Sequence, residues 1–483
     1  MLFVRRSGPA HRRSITNARP PLRLRTFPSY EMKLLDLNRH GGIGASCHLV
    51  QLGDVRIIID CGLHPKLSGP AATPDFTPLD GLEVDLIIIT HCHLDHIGSL
   101  PLLLRHQLRA PVVMSSSSAL LLARMLHNSA SVMERQREEQ SRSDLPLFTH
   151  EEVDRCAQRF HSLAFGQTRK ISGAKDDVEV TLHPAGHVAG AAGVELKHKG
   201  RHIFFSGDVL FEGQRTVPGA RFPAGRFDTI VLETTHGATE PVAGRTRESE
   251  INRLLDTVNR TIARGGSVLI PVFALGRHQE LLTIFHHARE NRRLAKCPIY
   301  SSGLGIDLCD YFDDVARKTS HIHFSRSVLK ALKVQQTPRK LIPGVDPRQN
   351  GIYLVSSGMV VERTPSYLVA SCLAGHAHNT IAFVGYCDPD TPGGALLASH
   401  NGDKFLFAAL DTEVKLACQI ERFNLSAHAG RDELMDFALR RDPRAVVLNH
   451  GDPEARAWFA EEFARAAPHI KVTDPTPLTP VEI

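Results

Sequence analysis

A chain of 483 residues exceeds the usual size of one domain, so two or three core-bearing units are expected. With 42% hydrophobic and 23% charged residues it can bury a large core, and its longest apolar stretch, Val268 to Leu275, is far too short to cross a bilayer. Nine cysteines without a Cys-x-x-Cys pair argue against a disulfide framework and a thiolate zinc site, and a net charge of +5 is too small to specify a partner. A cytoplasmic protein with no membrane partner is expected. Residues 1–31 carry seven arginines, no acidic residue before Glu31 and no apolar core of a secretory signal, and are expected to be a basic extension without a fold of its own. Strands are then predicted at Lys33–Leu37, Val55–Ile59 and Val84–Ile89, the last two Ile-rich and bounded by polar residues. Ser116–Leu126 reads as a helix, Met133–Ser143 as an exposed charged helical face, and Thr149–Phe160 as a helix opened by a threonine cap with Glu151 and Glu152 behind it. Val178–Leu182 and His202–Phe205 read as further strands. From about residue 212 a second α/β unit is predicted, with helices at Arg247–Ala263 and Arg277–Arg289 and strands at Ser267–Phe273, Ile352–Val355 and Thr380–Gly385. Such alternation calls for a layered α/β sandwich.

Directly after the Val84–Ile89 strand stands Thr90-His91-Cys92-His93-Leu94-Asp95-His96, which puts four metal-binding side chains into six residues. Neutral imidazole nitrogens and a carboxylate oxygen suit a borderline cation such as zinc. The His91-x-His93 pair can converge on one ion, and the Asp95-His96 pair points to a second. Cys92 is read as spacing, with its thiol turned away from the metals. A run of solvated histidines is the bland alternative, and it does not account for their place at the end of a core strand.

These residues resemble the HxHxDH motif of the metallo-β-lactamase fold, and further segments match that fold's motifs in order. Asp60, in Ile57-Ile58-Ile59-Asp60-Cys61-Gly62, resembles the strand-end aspartate. His187, in His183-Pro184-Ala185-Gly186-His187, resembles the third histidine ligand, and Asp208, in Phe204-Phe205-Ser206-Gly207-Asp208, the bridging carboxylate. Leu232-Glu233-Thr234-Thr235-His236-Gly237, Asn424-Leu425-Ser426-Ala427-His428 and Leu448-Asn449-His450-Gly451-Asp452 are similar to the extra motifs of the β-CASP nucleases. That family includes the nuclease subunit of the cleavage and polyadenylation machinery and its bacterial relatives. The resemblance implies an α/β fold, a metallo-β-lactamase αββα sandwich with an inserted α/β β-CASP domain. It divides the chain into 32–211 and 413–483 for the sandwich and 212–412 for the insert.

It also implies two Zn²⁺ per chain. His91, His93 and His187 would hold one ion, Asp95, His96 and His450 the other, and Asp208 would bridge them, with Asp60 supporting ligand histidines from behind. The implied activity is a ribonuclease, exo- or endonucleolytic, whose metals activate a hydroxide in RNA processing or decay. His428 is the candidate general acid and Glu233 its orienting carboxylate. A histidine at position 450 is similar to the family's RNA-cutting members, whereas an aliphatic residue there is similar to its DNA-cutting ones. Ser357 and Gly358 resemble a loop whose N–H groups face a phosphate. Arg277 is a candidate contact for the nucleic-acid backbone, its alternative a structural ion pair inside the insert. A homodimer is compatible with the sequence. Two other readings stay open: a hydrolase of the same fold acting on DNA or a small ester or thioester, and a non-catalytic RNA-binding subunit. The long insert and late histidines speak against a small substrate, and the full set of ligands speaks against a dead enzyme.

Overall fold

The computed structural model describes residues 32–483, so the expectation for 1–31 lies outside the described residues. Two seven-stranded sheets stack face to face. The first runs Val481–Glu482, Met32–Asp36, His48–Leu52, Val55–Ile59, Leu86–Ile89, Val112–Ser115 and Phe160–Leu163 in spatial order. The second runs Lys471–Thr473, Ala445–Asn449, Thr229–Glu233, Arg201–Phe205, Ala192–His198, Asp177–Pro184 and Thr168–Ser172. With side chains alternating between two covered faces, the central strands Val55–Ile59 and Leu86–Ile89 are almost wholly apolar. Ile57, Ile59, Leu86 and Ile88 point between the sheets and meet Val180, Val194, Ile203 and Val231 of the second. Ile58, Ile87 and Ile89 point the other way, onto Leu121, Leu122 and Met125 of the helix Ser116–Gln140. On the far side, Ile230, Leu232, Val446 and Leu448 pack under helices Arg431–Arg441 and Pro453–Ala466. The layers are therefore helix, sheet, sheet, helix.

A third, six-stranded sheet forms the insert, all its neighbours parallel: Gln335–Gln336, Ile299–Ser301, Ile352–Val355, Val268–Pro271, Thr380–Phe383 and Gln419–Arg422. Helices Arg247–Ala263 and Arg277–Glu290 cover one face, and Pro365–Leu373 the other. The fold class read from the sequence is the one observed.

The predicted limits of the insert need correction. Thr229–Glu233 pairs in parallel with both Arg201–Phe205 and Ala445–Asn449, so the chain leaves the sandwich after Glu233 and not at residue 212. Gln419–Arg422 pairs with Thr380–Phe383, so the insert's sheet extends past residue 412. A short apolar run announces a strand but not the sheet it joins. Helix Ser116–Gln140 also outruns its predicted end, because the charged run continues it as an exposed face. The capped helix is shorter than predicted, His150–Ala157, and Phe160 opens the next strand.

Candidate metal centre

The candidate residues gather at the carboxyl ends of the sandwich's parallel strands. Asp60 follows Val55–Ile59, His91 to His96 follow Leu86–Ile89, and Asp208 follows Arg201–Phe205; Glu233 closes its own strand, and His450 follows Ala445–Asn449. The loop of the first motif is sewn down by its own backbone. Cys61 N–H donates to His96 O at 2.7 Å, Leu63 N–H to Leu94 O at 2.8 Å and Ser46 N–H to Asp95 O at 2.9 Å. Gly62 is required there, since a Cβ at that position would stand 1.7 Å from Asp95 O. At the second ligand turn, a Cβ on Gly186 (φ +76°) would stand 2.2 Å from Leu210 O.

Two sets of ligand atoms result. His93 Nδ1 lies 3.1 Å from His91 Nε2 and 3.0 Å from His187 Nε2. His450 Nε2 lies 3.3 Å from both His96 Nε2 and Asp95 Oδ2. Asp208 stands between the sets. Its Oδ2 is 3.5 Å from His96 Nε2, 3.6 Å from His91 Nε2 and 3.7 Å from His187 Nε2, and its Oδ1 is 3.5 Å from His450 Nδ1. These residues fit bound cations. Donors on a tetrahedral zinc with bonds of about 2.0–2.1 Å lie roughly 3.3 Å apart. Asp208 Oδ1 is buried without a hydrogen-bond partner, which leaves it free for an ion. Burial, with His96 beside His91 and His428 beside His187, holds both imidazoles well below their ordinary pKa and thus in the neutral form that binds metal. Burial opposes an ionised Asp208, yet His450, His96 and His91 outweigh it and hold the carboxyl well below its usual range.

The other ring nitrogens are occupied, which fixes each tautomer. Thr90 N–H and O–H donate to the two oxygens of Asp60 at 2.8 and 2.7 Å, and His96 Nδ1 stands 2.7 Å from Asp60 Oδ2. With its proton committed to Asp60, Thr90 Oγ1 can accept from His91 Nδ1 at 3.2 Å. His93 Nε2 donates to Leu275 O at 3.2 Å, and His187 Nδ1 to Ala427 O at 2.9 Å. Thr235 O–H donates to Glu233 Oε2 at 2.6 Å and can accept from His450 Nδ1 at 3.1 Å. Sequence reasoning missed Thr90, Thr235 and both carbonyls. The threonines lie inside recognised motifs and were findable, whereas a carbonyl acceptor has no sequence signature. Cys92 Sγ points away, 3.5 Å from Ser118 O.

His428 sits over the bridge, its Nε2 4.0 Å from Asp208 Oδ2 and its Nδ1 2.9 Å from Glu233 Oε2. Glu233 is fixed in turn, accepting Val209 N–H at 2.6 Å. Burial disfavours a charged His428, but Glu233, then Asp208 and Asp95, overcome it and raise its pKa to about 9.

The substrate-contact candidates divide. Gly358 packs on Phe273, where a Cβ would come within 3.0 Å of the ring, and the Phe273 ring centroid is 6.5 Å from that of His93. The Ser357–Gly358 loop is therefore near the first ligand set. Of the two readings of Arg277, the nucleic-acid contact is corrected and a structural role is favoured: it is 6% exposed and donates to Leu425 O at 2.7 Å, so it is committed to the protein's own backbone. Burial, with Arg247 nearby, lowers its pKa to about 9. Across the insert's rim, Lys66 pairs with Asp388 at 2.6 Å and Asp390 at 2.9 Å, which offsets one of the two negative charges there.

An αββα sandwich with such a cluster at its strand ends, roofed by an α/β insert, defines a metal-dependent hydrolase of the metallo-β-lactamase type. Residues 40–243 match the metallo-beta-lactamase superfamily, 278–396 the Beta-Casp domain, and 413–473 the Zn-dependent metallo-hydrolase RNA specificity domain. The chain belongs to the β-CASP family of metallo-β-lactamase-fold proteins. Among its relatives, Integrator complex subunit 11 of Danio rerio is 29% identical over 90% of this chain and 71% of its own. Transcription termination factor FttA of Methanocaldococcus jannaschii is 29% identical over 88% and 67%, and a ribonuclease of Thermus thermophilus 28% identical over 88% and 94%. A crystal structure of a protein of unknown function from Enterococcus faecalis V583 shares the fold, with a TM-score of 0.51, 13% identity, and coverage of 94% of this chain and 100% of that one.

Proposed function

We propose that this chain is a ribonuclease that binds two zinc ions and hydrolyses RNA phosphodiester bonds. The observation that carries the reading is the convergence of two ligand sets on Asp208 with the His428–Glu233 pair directly above it. His91, His93 and His187 would hold one ion, Asp95, His96 and His450 the other, with Asp208 shared. When bound, the ions would supply an activated water as nucleophile and offset charge on the phosphate. The protein's own residues do the rest. Asp60, Thr90, Thr235 and the carbonyls of Leu275 and Ala427 keep the correct ring nitrogens facing inward. His428 carries a proton on Nε2 at neutral pH, held there by Glu233, and delivers it to the departing oxygen. Glu233 does not need to change protonation; its role is to orient the ring and stabilise the imidazolium. The Ser357–Gly358 loop is proposed as a phosphate contact, and a homodimer remains part of the proposal to be tested by mass in solution.

The relatives' names support RNA as substrate, since one is a ribonuclease and another a transcription termination factor. No helix among the described residues is long and apolar enough to cross a membrane. The test is digestion of matched single-stranded RNA and DNA, the RNA carrying 5′-monophosphate, triphosphate or hydroxyl ends, with the zinc-loaded protein. RNA should be cut and DNA spared, and the time course of product sizes tells end-directed from internal cleavage. Preferential cutting of DNA, or no cutting of either polymer, would sink the proposal.

A further inference from the structure

We propose that Arg247, Arg277 and Glu280 of the insert form a buried clamp that positions His428. The proposal rests on the ribonuclease reading above. Glu280 is fully buried at the first turn of helix Arg277–Glu290. It accepts Arg215 N–H at 2.9 Å, Thr216 N–H at 2.8 Å and Thr216 O–H at 2.7 Å, all from the sandwich segment after Asp208, and Arg247 Nη2 at 3.3 Å. Arg247 also donates Nη1 to Ser426 O at 3.0 Å, and Arg277 donates Nη1 to Leu425 O at 2.7 Å. Arg247 thus pairs with Glu280, which Arg277 influences only through its charge, and the two guanidiniums donate to successive carbonyls of the His428 loop.

Burying like charges together is costly, and a hydrophobic pair would pack the same space at less expense. What the arginines add is direction. Leu425 and Ser426 are gripped from the insert, while Ala427 O accepts from His187 and Ala429 N–H donates to Val209 O at 2.7 Å. Ser426 Oγ lies 2.8 Å from His236 Nε2 and accepts His428 N–H at 3.2 Å. The loop is held from both units, and His428 is left facing Glu233. Beside Arg215, Gln214 donates to Gly186 O at 2.7 Å and His187 O at 2.9 Å, so the segment that Glu280 grips also braces the His187 turn. Seating of the insert and aiming of the proton donor are then one arrangement. Arg247, Arg277 and Glu280 are positioning residues, since none faces the reacting atoms.

The test compares Arg277→Met, which removes the grip on Leu425, with Arg277→Lys, which can still donate one bond. Each zinc-loaded variant is assayed on RNA and on bis(p-nitrophenyl) phosphate, whose leaving group departs without a proton donor. Arg277→Met should lower kcat on RNA about 10–100-fold, less than loss of the acid itself, with KM and the rate on the activated diester within about threefold. Arg277→Lys should recover to within about fivefold of the parent on the same logic. Amide hydrogen exchange in the segment 424–429 should quicken in Arg277→Met and return in Arg277→Lys. Should Arg277→Met fail to fold, Arg247→Lys, which keeps the charge but reaches only one of two acceptors, carries the same comparison. Equal losses on the two substrates, or an unchanged RNA rate, overturn the clamp. A parent protein that cleaves the activated diester but not RNA removes the ribonuclease reading instead, and unchanged exchange in Arg277→Met would then remove the clamp as well.

Discussion

His428 and Asp208 are 4.0 Å apart, yet their substitution should produce different defects. Asp208 reaches ring nitrogens of both ligand sets, so Asp208→Ala should lose metal and activity together, read by zinc content per chain. His428→Ala should keep its metals and its affinity for RNA while the single-turnover rate falls about 10²–10⁴-fold, the usual loss for a general acid. A wild-type rate in that variant would dismiss His428 as the acid. Glu233→Gln tests the pair more finely. The carboxylate stabilises the imidazolium, which lifts the His428 pKa to about 9 against the pull of burial. Bound cations would occupy Asp208 and Asp95, leaving Glu233 as the carboxylate that matters. Neutralising it lets the proton leave at lower pH, so the alkaline fall in kcat should move toward neutrality with zinc content unchanged. An alkaline limb that stays in place would show that Glu233 does not hold the proton.

At the scale of elements, motifs located side chains well and architecture less well. His91 to His96 were legible because several ligand types follow one core strand, a pattern with no use in simple packing. The sequence leaves Arg277 between a nucleic-acid contact and a structural role, because burial, which decides between them, depends on what folds over it. Residues 229–233 fall inside the range read as the insert, since an apolar run fits either sheet and only pairing decides. Glycines show the same divide. Gly62 reads as an ordinary strand-end residue, but the backbone of the metal loop lies directly against it. Gly62→Ala should therefore destabilise the protein by about 1–3 kcal/mol, the usual cost of overpacking, and weaken metal retention as the Asp95 carbonyl is displaced. Gly166→Ala is the control: its φ is +75°, but nothing lies within 4 Å of the added carbon. It should show the backbone strain alone, roughly 1 kcal/mol, with metal content intact. Calorimetry and metal analysis on the pair separate the two effects, and equal metal loss in both would discredit the packing account.

For the whole molecule, the metal centre joins segments far apart in the chain. His91 and Asp208 come from its first half, His450 from near its end, and His93 is oriented by the Leu275 carbonyl of the insert. An ion held by these groups binds the folded chain and not the unfolded one, so it stabilises by mass action. At a free metal concentration 100 times Kd, one site contributes about 2.7 kcal/mol, and two independent sites about twice that. Removing the metals should lower the unfolding temperature, and the loss should grow as the zinc concentration of the reference sample rises. Acidification should act the same way, because each ligand histidine must shed its proton to bind. Burial holds His91 and His187 in the neutral form even without metal, so the fall with pH should be set by the groups whose pKa is raised, His96 and His450. Both are paired with aspartates, and both belong to the same proposed ion. That ion should leave first as pH falls, giving a species with one metal, folded and inactive on RNA, before the second is lost. Metal content and melting temperature followed together down a pH series would display the two steps. Simultaneous release of both ions would mean that Asp208 couples the sites too tightly for either to empty alone.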